Sequence, residues 1–85
     1  MQQFTSILLS SLGNLTFYFN RIYTASGIRY HVSTLYKGSK SIMFSMEMDD
    51  LNWKIMNSDI CPDWIREIEN ELSNTINLKL SNRLN

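Results

Sequence analysis

The chain has 85 residues, of which 44 % are hydrophobic and 12 % aromatic, and its eight basic and eight acidic side chains cancel to zero formal charge. Such a composition is too apolar for an intrinsically disordered chain, and the neutral balance argues against tight nucleic-acid binding, which needs a cationic surplus to displace counterions. One domain, residues 1–85, is expected to bury roughly 60 to 65 % of its unfolded surface, so stability is modest and dimerisation adds to it.

Cys61 is the single cysteine. An intramolecular disulfide and a cysteine-based zinc cluster are thereby excluded, and a reducing, cytoplasmic location fits best. No apolar stretch reaches the roughly 20 residues needed to cross a bilayer. Residues 4–12 are apolar enough for a signal-peptide core, but nothing basic precedes them and Ser10-Ser11-Leu12-Gly13 is a poor cleavage site, so no cleaved leader is expected.

In chain order, Phe4, Ile7, Leu8 and Leu12 fall at helical spacing. Thr5 or Ser6 suits the start and Gly13 the left-handed end, which favours a short N-terminal helix over 4–12, with a strand as the alternative. Four runs of strict alternation follow: Leu15-x-Phe17-x-Phe19, Ile28-x-Tyr30-x-Val32, Ile42-x-Phe44-x-Met46-x-Met48 and Leu51-x-Trp53-x-Ile55. Period-two patterning predicts strands over about 15–23, 28–36, 40–48 and 51–57, each buried on one face. Cys61-Pro62-Asp63-Trp64 reads as a helix entrance, with proline where no donor is lost and Asp63 at the positive end of the dipole. The helix is predicted over 62–78, with Trp64 or Ile65, Ile68, Leu72 and Ile76 as its apolar stripe. Arg66, Glu67, Glu69, Asn70, Glu71 and Asn74 are expected to face water, and the chain to fray from Ser81.

Loop parity sets the strand register, because a slip of one residue turns a strand inside out. The loop Thr24–Gly27 pairs Tyr23 with Ile28, Arg21 with Tyr30 and Phe19 with Val32. A three-residue loop Lys37-Gly38-Ser39, with positive φ at Gly38 or Ser39, pairs Val32 with Phe44 and Tyr30 with Met46. A two-residue turn Asp49-Asp50 pairs Met48 with Leu51, Met46 with Trp53 and Phe44 with Ile55. Core rows then run Phe19-Val32-Phe44-Ile55 and Arg21-Tyr30-Met46-Trp53, beneath the helix.

The same parity defines the uncovered face. Its rows are Asn20-His31-Ser45-Lys54, Ile22-Arg29-Glu47-Asn52 and Tyr18-Ser33-Met43-Met56, with a cross-strand ion pair expected between Arg29 and Glu47. Tyr18, Met43 and Met56 supply contact area there, and Asn20, Arg29, His31 and Lys54 supply polar anchors, so these seven residues form the candidate binding surface. A solvated sheet face is the competing expectation.

Catalytic signals are sparse. His31 is the single histidine and the natural acid or base near neutrality, but no Gly-x-Ser-x-Gly motif or oxyanion site accompanies it. Asp63, Glu67 and Glu71 form a carboxylate ridge that dipole preference already explains, and Asp49-Asp50 lacks the glycine and glutamate of a calcium loop. Cys61, before a helix, invites a reactive thiol, although a packing role is favoured. No cofactor or metal is expected.

These expectations define an α+β domain: a four-stranded antiparallel meander with a C-terminal helix on one face. In architecture alone this is similar to the Pur-type repeat and the whirly-type proteins, which dimerise and bind single-stranded nucleic acid on the sheet. The leading expectation is a small non-enzymatic interaction module, homodimeric through the edge strand, the open face or the C-terminal leucines Leu78, Leu80 and Leu84. Weak single-stranded nucleic-acid binding on the open face is the alternative, and an enzyme using His31 the second alternative.

Overall fold

The computed structural model describes residues 2–84. Five strands lie side by side in chain order: β1 (Gln2–Ser10), β2 (Gly13–Thr24), β3 (Gly27–Tyr36), β4 (Lys40–Asp49) and β5 (Asn52–Ile55). A 3-10 turn at Ser58–Ile60, a single helical turn α1 (Asp63–Arg66) and the helix α2 (Glu69–Leu84) complete the chain. The fold is α+β with an antiparallel sheet and a C-terminal helix, but the sheet has five strands rather than four and curls into a half-barrel that α2 covers.

The extra strand occupies the segment expected to be a helix. Phe4 and Leu8 are four apart, a spacing that serves a helix face and a strand face equally well, and pairing with β2 decides between them. Phe4 stands opposite Phe19 and Leu8 opposite Leu15, and the Phe4 ring stacks on Phe19 at 4.6 Å between centroids. Ser11 and Leu12 form the connecting turn. There the Ser10 hydroxyl donates to the Gly13 carbonyl at 2.9 Å and accepts the Leu12 N–H at 3.1 Å. Gly13, at φ 98°, closes this hairpin instead of ending a helix.

The β2–β3 and β3–β4 registers are as expected, with Phe19 opposite Val32, Arg21 opposite Tyr30 and Val32 opposite Phe44. The β3–β4 turn places positive φ at Lys37 and Gly38, not at Ser39. The β4–β5 register is a correction. Met46 faces Ile55 and Met48 faces Trp53, because Asp50-Leu51 forms the turn with Asp50 left-handed at φ 60°. A shift of two residues keeps every side chain on its expected face while changing its neighbours, so parity alone does not detect it.

The helical region is also broken. The Ile68 N–H bonds back to Ile65 rather than to the residue four before it, which separates α1 from α2, and α2 runs on through Leu84. The stripe Ile65, Ile68, Leu72 and Ile76 packs on Phe17, Phe19, Tyr30, Val32, Phe44, Met46, Trp53 and Ile55 as expected. Trp64 is half-buried beside Tyr36, with ring centroids 5.0 Å apart. At the far end, Lys79 of α2 reaches the Phe4 ring of β1, so curling brings the helix that lies along one edge close to the other.

Candidate functional site

The open face of the sheet is the outside of the half-barrel, where side chains diverge. Its rows begin as expected, Asn20-His31-Ser45 and Arg29-Glu47, but the corrected β5 register changes their last members. Lys54 joins Arg29 and Glu47, and Met56 joins Ser45, to which its N–H is bonded at 2.8 Å. Arg29 donates to Glu47 at 3.2 Å, the cross-strand pair expected from the register. Lys54 reaches Glu69 of α2 at 4.0 Å. Tyr18 (45 %) and Met43 (68 %) are exposed, whereas Asn20, Arg29, His31 and Met56 are half-buried. The seven candidate residues therefore share one convex surface, with Lys54 at its margin turned toward the helix.

His31 lies between Asn20 and Ser45, with no hydrogen bond to either side chain among the described residues. Its diagonal carboxylate, Glu47, is engaged by Arg29. On the carboxylate ridge, Asp63 pairs with Arg66, while Glu67 and Glu71 are exposed. Among the described residues no group of three acidic, cysteine or histidine side chains converges to hold a metal, and no helix is long and apolar enough to cross a membrane. Cys61 is buried, and burial pushes its thiol above the ordinary range, against the opposing pull of Arg66.

The two edges of the sheet differ sharply. In a hairpin with a two-residue turn, the residues flanking the turn form the hydrogen-bonded pair and every second residue follows suit. On β5 this turns the Trp53 and Ile55 N–H groups outward, and α2 receives both. Trp53 donates to the Ser73 hydroxyl at 2.9 Å and Ile55 to the Glu69 carboxylate at 2.8 Å. The Trp53 indole N–H donates to Asn77 at 3.1 Å, and the Asn77 amide donates to the Leu51 carbonyl at 3.3 Å. Glu69 was expected in water and instead caps a strand. Glu69, Ser73 and Asn77 recur every four residues beside the apolar stripe, which is the signal by which the sequence carries this clasp.

On β1 the same rule turns the backbone of Thr5, Ile7 and Leu9 outward, and none of the described elements covers it. The Ile7 (68 %) and Leu9 (71 %) side chains are exposed as well. Compared with protein-family models, curated proteins and solved structures, the chain matches none.

Proposed function

We propose that the chain is a non-enzymatic interaction module that forms a homodimer by pairing β1 with β1 of a second copy. The observation that supports this is the unequal treatment of the two sheet edges. Folded proteins shield an edge with charge, proline, a bulge or a covering element, because its bare N–H and C=O groups template further strands. β5 is shielded by Ser73 and Glu69. β1, nine residues of sequence QQFTSILLS, has no charge and no proline, and among the described residues none is bonded to the outward backbone of Thr5, Ile7 and Leu9. Adding a strand there satisfies the backbone of Thr5, Ile7 and Leu9 and removes the Ile7 and Leu9 side chains from water.

Sedimentation equilibrium tests this reading. Wild-type protein at about 100 μM sediments at close to twice the 10.0 kDa chain mass, about 1.8-fold for a dissociation constant of ~10 μM. Ile7→Pro removes an outward N–H that the monomer does not use, and proline is tolerated there on an edge strand. The variant keeps its circular dichroism and sediments as a monomer. Ile7→Lys, which introduces charge at the same point, does likewise. A monomeric wild type, or dimers in both variants, rejects the proposal.

A further inference from the structure

The sequence of β1 is close to its own complement. Folded about Ser6, QQFTSILLS sets Phe4 against Leu8, Thr5 against Ile7 and Gln3 against Leu9. Phe4, Ser6 and Leu8 lie on the concave face, where Phe4 and Leu8 are half-buried against the margin of the core. Thr5, Ile7 and Leu9 turn their backbone groups away from β2, as the β1–β2 hairpin requires.

Symmetry and pleat narrow the ways in which two such strands can meet. One edge serves both copies, so the joint is two-fold symmetric. Parallel strands related by an axis along their length set the concave face of one copy beside the convex face of the other. An antiparallel joint, with the axis normal to the sheet, keeps both concave faces on one side and the apolar core continuous. Outward backbone groups must then face outward groups, which puts the axis at a whole residue. Centred on Thr5, the joint sets Phe4 against Ser6 and Leu8 against Gln2. Centred on Ile7, it sets Phe4 against Ser10 and Leu8 against Ser6. Either joint is two residues shorter than the strand. Centred on Ser6, it pairs all nine residues and sets each Phe4 against Leu8 of the second copy. That rung is a non-hydrogen-bonded one, where facing side chains approach most closely.

We infer, resting on the dimer reading above, that the two copies join antiparallel about a two-fold axis at Ser6, with Phe4 and Leu8 carrying the core of one half-barrel into the other. The Phe4 ring stacks on Phe19 and lies under the Lys79 ammonium, so the monomer already holds it in place for Leu8 of the second copy. The same match recurs on both sides of the axis. This repetition makes a second copy of the chain a better partner than an arbitrary strand.

Cysteine cross-linking under mild oxidation tests the register, with the wild-type chain, whose Cys61 is buried, as the blank. Ser6→Cys places two thiols on facing positions, about 4.5 Å apart at Cα, and links into a covalent dimer. Thr5→Cys and Ile7→Cys alter exposed positions. Oxidised singly, each stays unlinked, because like residues are offset by two positions and lie about 8 Å apart, beyond the roughly 7 Å that a disulfide spans. Mixed, the two variants link to each other. A link in Thr5→Cys alone, in Ile7→Cys alone or in each of them separately marks a different centre or parallel strands. Any of these results, or an unlinked Ser6→Cys, overturns the register while the dimer stands. A wild type that sediments as a dimer with no link from any of the variants overturns β1 pairing, and a monomeric wild type overturns both readings.

Discussion

Replacing Ser73 by Ala isolates the clasp between α2 and β5. Ser73 is 2 % exposed, and its hydroxyl accepts the Trp53 N–H at 2.9 Å in a buried setting. Alanine leaves that amide enclosed without an acceptor, which costs about 1–3 kcal/mol. The better helix propensity of alanine returns about 0.5 kcal/mol, so a net loss of about 0.5–2.5 kcal/mol is expected. In a domain of this size that lowers the thermal midpoint by about 2–20 °C. The assay is thermal and urea denaturation followed by circular dichroism at one fixed protein concentration, since association shifts apparent stability. Asn74→Ala, at the exposed neighbouring position, gives the same propensity gain without the lost bond and is expected to be neutral or slightly stabilising. Hydrogen exchange adds a local reading, with the Trp53 amide losing protection while the Val32 amide keeps it. A Ser73→Ala variant as stable as Asn74→Ala refutes the view that Ser73 holds the edge.

Two further outcomes concern titratable groups in the core. Cys61, raised by burial, is expected to react far more slowly with a thiol reagent at neutral pH in the folded protein than in urea, and equal rates would contradict its enclosure. Tyr30 is raised above 10.0 by burial, with Arg21 opposing. Below that pH both folded and unfolded chains keep the phenol proton and stability is indifferent to it. Above it the unfolded chain gives the proton up first, so stability falls until the folded phenol ionises too. The urea midpoint of Tyr30→Phe is therefore expected to drop less than that of wild type as pH rises about one unit past this point, and equal drops would remove Tyr30 from the alkaline transition.

The two faces of the sheet were legible because alternation has period two and Phe17, Phe19, Tyr30, Val32, Phe44 and Met46 obey it without exception. β1 was hidden because Phe4, Ile7, Leu8 and Leu12 satisfy helical spacing, while the evidence for a strand lies in its partner, in the match of Phe4 to Phe19. The β5 register was hidden for another reason: a shift of two leaves the faces unchanged, and only contacts with α2 separate the alternatives. Those contacts depend on where the helix axis runs, which no local pattern encodes. Arg21 was visible as a cation in an otherwise apolar row, but only the structure shows that no carboxylate among the described residues pairs with it.

The closed β5 edge also sets a stoichiometry. Strand addition at β1 consumes an edge on each copy, and the second edge is already satisfied by Ser73 and Glu69. Under the proposed β1 pairing, growth would therefore terminate at two chains, with one continuous sheet bounded at both ends by its own helices. Releasing the clasp would give each chain two sticky edges in place of one, and the interaction that ends at a pair would become the repeat of a fibre.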